Sequence, residues 1–266
     1  MIESGVRRTA TRRRSRAAVA ALGLVLAAAP AMSAEGVDPE ADAILREMSD
    51  YLGGLAAFSV DADVDNEIID LAGQKLQLSS SASVALQRPN RIQMSRQGGI
   101  ADVEVLFDGK SLTLQSKTRN AYLQLDSSGT IDEALRAVSN EIGIDMAAGD
   151  FFFADPYSGL VTDVVSGAYL GWGYVEGVRC HHLAFRAAHV DWQLWVQTGD
   201  TPLPMKYVIT SKWVTGAPQY AARFRNWNTK PQLEARQFEF SALPGAKKLD
   251  SLPVNEAGQL MPAEAQ

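Results

Sequence analysis

Residues 58–87 read FSVDADVDNEIIDLAGQKLQLSSSASVALQ, and their periodicity decides the fold class. Phe58, Val60, Ala62, Val64 and Ile68 alternate with Ser59, Asp61, Asp63, Asp65 and Glu67. Beyond a turn around Gly73, Leu76, Leu78, Ala82, Val84 and Leu86 alternate with Lys75, Gln77, Ser79, Ser81, Ser83 and Gln87. Successive side chains of a strand point to opposite faces, so a period of two gives one apolar and one polar face. The stretch reads as two long strands joined as a hairpin and buried on one side. A turn near Gly73 sets the acids opposite Ser79, Ser81 and Ser83, whose hydroxyls can donate hydrogen bonds to them. Calcium is the competing explanation of the acids. It needs six or more oxygens around one point, whereas a ladder offers a line, so a solvated outer face is the better reading.

Downstream, Pro89 ends the second strand, and Ile92 and Met94 belong to a third. Val103, Val105 and Phe107 run into Asp108-Gly109, a hairpin turn signal, and Leu112 and Leu114 return from it. A short strand follows at residues 122–125. Thr130 and Glu133 fit a capping box, with Ile131, Leu135, Val138 and Ile142 on one helical face and Gly143 as the stop. Asp155-Pro156 opens another helix, with Leu160, Val161, Val164 and Val165 as its stripe. Strands then resume at 172–175, 178–186, 190–196, 205–213 and 220–227, and a last one holds Phe238 and Phe240. Upstream, Asp38-Pro39 starts an amphipathic helix carrying Ile44, Leu45, Met48, Leu52 and Leu55, which ends at Gly53-Gly54.

The N-terminus has the order of a secretory signal peptide. Arg7, Arg8, Arg12, Arg13, Arg14 and Arg16 precede an apolar run over 17–29, then Pro30 and the small residues Ala31, Ser33 and Ala34. The run is short of the ~20 residues of a transmembrane helix. The expected organisation is a signal peptide over 1–34, one domain over 35–250 and a disordered tail over 251–266. The whole chain carries a net charge of −6. Removing the leader, with its six Arg and one Glu, leaves 19 basic and 30 acidic side chains, a net charge of −11. Such a chain is a poor partner for nucleic acid. Cys180 is the single cysteine, so no internal disulfide supports the fold.

These elements imply a mainly β protein with helices, an α+β chain built on one antiparallel, strongly curved sheet of roughly ten strands. One apolar face of that size needs a cover. The N-terminal helix and the two mid-chain helices are what the sequence offers, so the expected architecture is an open half-barrel with helices across its mouth. Its inner face would be lined by Leu76, Leu78, Val84, Leu86, Ile92, Met94, Leu183, Phe185, Trp192 and Leu194, the candidate ligand-binding residues. Trp192 falls in phase with Val190 and Leu194, and core packing and cavity lining demand the same apolar face of it.

Several segments carry a resemblance: Asp38-Pro-Glu-Ala, Met48-Ser-Asp-Tyr-Leu, Phe107-Asp-Gly-Lys, Asp155-Pro-Tyr, Cys180-His-His-Leu-Ala-Phe-Arg, Asp191-Trp-Gln-Leu-Trp and Gly216-Ala-Pro-Gln-Tyr. Together they resemble a bacterial family of predicted periplasmic proteins, a domain of unknown function. That family is similar in architecture to the outer-membrane lipoprotein carrier (LolA-like), whose half-barrels hold acyl chains. The resemblance implies a periplasmic, Gram-negative protein and, by fold analogy alone, an apolar ligand.

Chemistry-bearing constellations are weak. His181 and His182 are strand neighbours that face apart, and His189 sits at the following turn, so three ligands for a metal do not converge. Cys180 and His181 face apart for the same reason and cannot form a nucleophile–base pair. No Gly-x-Ser-x-Gly or His-Glu-x-x-His occurs, and Gly171, Gly173 and Gly177 miss the dinucleotide spacing. The sequence therefore points away from an enzyme and toward a carrier or sensor that needs no cofactor and no metal. Its expected ligand is a lipid acyl chain or a lipidated protein, exchanged with a membrane-bound delivery partner. The alternative is a structural or adaptor protein with a dry core that binds a protein partner through its outer face. Oligomeric state is left open.

Overall fold

The computed structural model describes residues 36–99, 102–144 and 146–251. The expected leader over 1–34 lies outside them, as does the tail beyond Ser251.

Three helices lie among the described residues: α1 (Pro39–Gly54), α2 (Ile131–Ala137) and α3 (Pro156–Leu160). The Asp38 carboxylate accepts the Glu40 N–H at 2.9 Å and Pro39 takes the first turn, so α1 begins where the sequence places it. The capping box of α2 is complete: Thr130 Oγ1 accepts the Glu133 N–H, and the Glu133 carboxylate accepts the Thr130 N–H at 2.7 Å. A π-helical turn, Val138–Ile142, continues α2 to Gly143, whose φ of 77° closes it. The second mid-chain helix is shorter than its periodicity suggests. Asp163 has φ 62°, and Val164 and Val165 leave the helix to open a strand. Four apolar residues at 160, 161, 164 and 165 satisfy a helical stripe, but the strand takes the last two: Val164 pairs with Ala187, and Val165 falls in the bulge before Ser166.

The strands are β1 (Gly36–Val37), β2 (Ala57–Ile69), β3 (Lys75–Gln87), β4 (Arg91–Gly98), β5 (Asp102–Phe107), β6 (Ser111–Ser116), β7 (Ala121–Asp126), β8 (Val164–Val175), β9 (Val178–Ala187), β10 (Val190–Gln197), β11 (Pro204–Ser211), β12 (Gln219–Asn228) and β13 (Lys247–Lys248). They form one large, curved, unclosed sheet in the order β1-β8-β9-β10-β11-β12-β2-β3-β4-β5-β6-β7-β13. Two expectations need correction. The sheet has thirteen strands rather than about ten, and its outermost pairs, β1–β8 and β13–β7, are parallel. Both edge strands are two residues long, too short for any periodicity. They pair because an open edge presents unsatisfied N–H and C=O groups. The expected last strand also does not form. Residues 235–238 make a 3-10 turn, Phe238 is fully buried, and the Phe240 ring lies 4.7 Å from that of Tyr122. Tyr122 faces outward, opposite Gln115, so the C-terminal segment covers the convex side of this arm. Outward-facing Leu106, Thr113 and Gln115 are buried there.

The β2–β3 register is the one expected: Asp61, Asp63 and Asp65 stand opposite Ser83, Ser81 and Ser79. The Asp70 carboxylate organises the turn by accepting the Ala72 and Gln74 N–H groups. The core lies between the concave face and the helices. Ala41, Ile44, Leu45, Met48 and Leu52 of α1, Ile131, Ala134 and Leu135 of α2, and Phe151 and Phe152 of the 3-10 turn Gly149–Phe152 meet Phe58, Leu86, Ile92, Phe107, Leu183 and Leu194 of the sheet.

Candidate functional site

The register sorts the concave face into rows. The row under the helices runs Phe58, Leu86, Ile92, Phe107, Leu112, all sealed from solvent. The next row is Val60, Val84, Met94, Val105, Leu114, in which Val84 and Met94 are only half-buried. Toward the β2–β3 turn the face continues through Ala62, Ala82 and Arg96, then Val64, Ser80 and Gly98, and ends with Leu78 opposite Asn66 and Leu76 opposite Ile68. Of the ten expected lining residues, Leu86, Ile92, Leu183, Phe185, Trp192 and Leu194 are buried. Trp192 stacks on Phe185 at 4.2 Å and meets the Tyr207 ring edge-on at 5.8 Å. Leu76, Leu78, Val84 and Met94 are half-buried. The face therefore has a packed half under the helices and a second half that is only partly covered.

The cap over the packed half is tied to the sheet by polar contacts. The Arg88 guanidinium donates to the carbonyls of Phe152 (3.2 Å) and Phe153 (2.8 Å), and its buried Nε finds no acceptor among the described residues. Burial lowers its pKa from the ordinary arginine value. Asp132 accepts the Ala154 N–H at 2.9 Å. Gly53 of α1 sits so close to this segment that a Cβ there would stand 2.6 Å from the Ala154 carbonyl oxygen, so only glycine permits the approach. Tyr157 of α3 donates to Asp42 of α1 beneath the Arg46 guanidinium, and these two partners hold the Asp42 carboxyl below its usual range.

One member of the partly covered half was not singled out in the sequence. Arg96 shares the phase of Ile92 and Met94, so its side chain belongs to the concave face, between Ala82 and Val103. Its Nε donates to Ser80 Oγ at 2.8 Å. Tyr220, opposite Asn66, enters from the other side of β2, and burial pushes its phenol up to about 12. The alternation that marked Ile92 and Met94 carried the signal for Arg96 as well.

The convex face is different. Arg223 reaches Asp65 at 3.0 Å and Arg225 reaches Asp63 at 3.0 Å, while Ser79 donates to Asp65 at 2.6 Å. These donors lower the pKa values of Asp63, chiefly through Arg225, and of Asp65, chiefly through Ser79. A shallow hollow of about 420 Å³ opens beside them, lined mainly by Asp63, Asp65, Ser79, Ser81, Gln97 and Arg223. A smaller one of about 160 Å³ lies between α2 and the 3-10 turn, against Arg136, Asp150 and Phe153. Neither is lined by any of the ten expected residues.

The three histidines stay apart. His181 Nδ1 contacts the Tyr169 hydroxyl at 3.0 Å, and His182 Nε2 meets Gln193 Oε1 at 2.9 Å while its ring stacks on Trp195 at 4.0 Å. His189 lies at the β9–β10 turn, where its carbonyl accepts the Lys212 N–H. Among the described residues no cluster of His, Cys, Asp and Glu is placed to hold a metal ion. Burial pushes the Cys180 thiol up to about 11, so it stays protonated at neutral pH. Burial also lowers the His182 pKa, which makes the fold favour neutral imidazole. That stability is present above the unfolded value near 6.5 and is lost as pH falls through the depressed folded value. Urea unfolding at pH 7.5 and 5.5 should show a loss at the lower pH that His182→Gln reduces. An equal loss in the variant would remove His182 as its source.

Fold and site together define an open, helix-capped sheet whose concave face is apolar and whose convex face is charged. The chain belongs to the family described as predicted periplasmic protein (DUF2092), whose model matches residues 41–252. Among the described residues no helix is long and apolar enough to cross a membrane. Among solved structures, the chain is similar to LprF from Mycobacterium bovis, with 14% identity over 76% of this chain and 98% of that one and a TM-score of 0.46. It is also similar to the lipoprotein LppX of Mycobacterium tuberculosis (12% identity, 74% and 100% covered, TM-score 0.40) and to a LolA-superfamily protein from Nitrosomonas europaea (10% identity, 75% and 97% covered, TM-score 0.37). No curated protein matches the chain.

Proposed function

We propose that this protein is a non-catalytic periplasmic binder of an apolar or amphipathic ligand, held along the partly covered half of the concave face. One observation carries the reading. Leu76, Leu78, Val84 and Met94 are only half-buried on a face whose other half, Leu86 and Ile92 included, is sealed. Apolar side chains left partly wet on a concave surface gain free energy when an acyl chain covers them, at about 25 cal/mol per Å². A chain that buries roughly 200 Å² there gains about 5 kcal/mol before the costs of association. A lipid acyl chain or the acyl group of a lipidated protein fits this strip, and transfer to a membrane-bound partner belongs to the same reading. A second reading, a dry-core adaptor, draws on the sealed half, where Leu183, Phe185, Trp192 and Leu194 are buried.

Titration with a fluorescent fatty acid separates the two. Leu78→Glu places a charge on the strip without entering the sealed core and should abolish probe binding at nearly unchanged melting temperature. Gln77→Ala, on the outer face of the same strand, should leave both unaltered. Val84→Phe should weaken binding and leave stability nearly intact if the strip is open. If the interior is packed dry there, it costs about 1–3 kcal/mol. A protein that binds no probe and is destabilised by Val84→Phe would sink the binder reading and favour the adaptor.

A further inference from the structure

Arg96 contrasts with the two arginines of β12. Arg223 and Arg225 on the convex face are paired with Asp65 and Asp63. Arg96 lies on the concave face between Ala82 and Val103, one row from Val84 and Met94. Among the described residues no carboxylate pairs with it. Its Nε is held by Ser80 Oγ at 2.8 Å, and its two Nη groups donate to no described residue. Ser80 is itself a concave residue, opposite Val64. A half-buried guanidinium beside apolar side chains costs solvation free energy unless an anion approaches it. Its planar fork suits the two oxygens of a carboxylate or phosphate. The remaining surface makes the contrast sharper, since the chain is acidic overall.

We propose that the partly covered half of the concave face takes an amphiphile with an anionic head, its carboxylate or phosphate bound by the Arg96 guanidinium beside the Ser80 hydroxyl. The acyl chain then lies against Leu78, Val84 and Met94. This rests on the binder reading above and adds the charge class of the ligand. Arg96 supplies two Nη groups that donate to no described residue, Ser80 fixes the orientation of the fork, and the apolar neighbours exclude water from the ion pair, which strengthens it.

The test is a fluorescence titration at pH 8 with cis-parinaric acid and its methyl ester, which share one chain and differ in head charge. The wild-type protein should bind the acid about ten-fold more tightly than the ester, a difference of about 1.4 kcal/mol. Arg96→Gln should lower acid affinity to the level of the ester and leave ester binding unchanged. Arg96→Lys, which keeps the charge but loses the fork, should keep part of the preference. That partial retention, with unaltered melting temperatures, distinguishes head recognition from a damaged fold. Inorganic phosphate at 10 mM should fail to displace the acid. Equal binding of acid and ester in wild type and Arg96→Gln would overturn the inference and leave the binder reading standing. Binding of neither probe would overturn both. Full displacement by phosphate would overturn the amphiphile assignment and leave a free-anion site.

Discussion

Phe58→Ala should lower the unfolding free energy by about 3–5 kcal/mol and the melting temperature by roughly 6–20 °C, for a chain of this length. Phe58 is fully buried at the start of β2. Its ring lies 6.3 Å from Phe152 in the cap and 5.5 Å from Trp227 at the end of β12. Trp227 in turn meets Phe224 at 5.9 Å, and Phe224 meets Phe151 edge-on at 5.6 Å. One ring thus joins the cap to two adjacent strands. Deleting it leaves a void among rigid aromatic neighbours that cannot collapse around it, which puts the cost at the upper end for such changes. Phe58→Leu, which refills most of the volume, should cost less than half as much. Urea unfolding of the three proteins measures this. A loss under about 1 kcal/mol for Phe58→Ala would mean that the cap is not packed on the sheet as described.

Arg88→Met should cost about 2–5 kcal/mol, because it leaves the Phe152 and Phe153 carbonyls without their donor at the edge of the core. Methionine keeps much of the aliphatic stem, so the loss reports the hydrogen bonds rather than the packing. The guanidinium is held by these two carbonyls at 3.2 and 2.8 Å. It is also the tie between the end of β3 and the segment that covers Phe58 and Leu86. Beyond the global loss, amide exchange at residues 149–154 should accelerate more than exchange in β6, since local opening releases the cap first. Uniform acceleration across the sheet would argue that Arg88 acts on the whole fold and not on the cap. A variant as stable as wild type would show the two hydrogen bonds to be replaceable by solvent.

Much of the architecture was legible because it rests on local rules. The period-two run from Phe58 to Leu86 set both the apolar face and the register, and the opposition of Asp61, Asp63 and Asp65 to serines followed from the turn alone. The capping residues Asp38 and Thr130 marked the helix starts for the same reason: a cap is a contact within one turn. The failures share a cause too. Val164 and Val165 fit a helical stripe, yet pairing of Val164 and of the residues from Ser166 onward with β9 draws the segment into a strand. Phe238 and Phe240 fit a strand, yet they serve as a cover over the outer face of another arm. In each case a partner distant in sequence decides, and intrinsic preference is the weaker term.

By itself the sequence determined the elements, the polarity of each face, the length of the paired hairpin and the acidity of the chain, since these are properties of residues a few positions apart. Only the tertiary structure decided where β12 lies, because its pairing with β2 joins positions far apart in sequence and places Arg223 and Arg225 against the acidic ladder. The same holds for the division of the concave face. Leu86 and Leu78 are the same residue type in the same phase of one strand, yet Leu86 is sealed while Leu78 remains half-buried. What separates them is the reach of the cap that Arg88 holds, a distance set by packing between segments far apart in the chain rather than by the alternation that placed both leucines on one face.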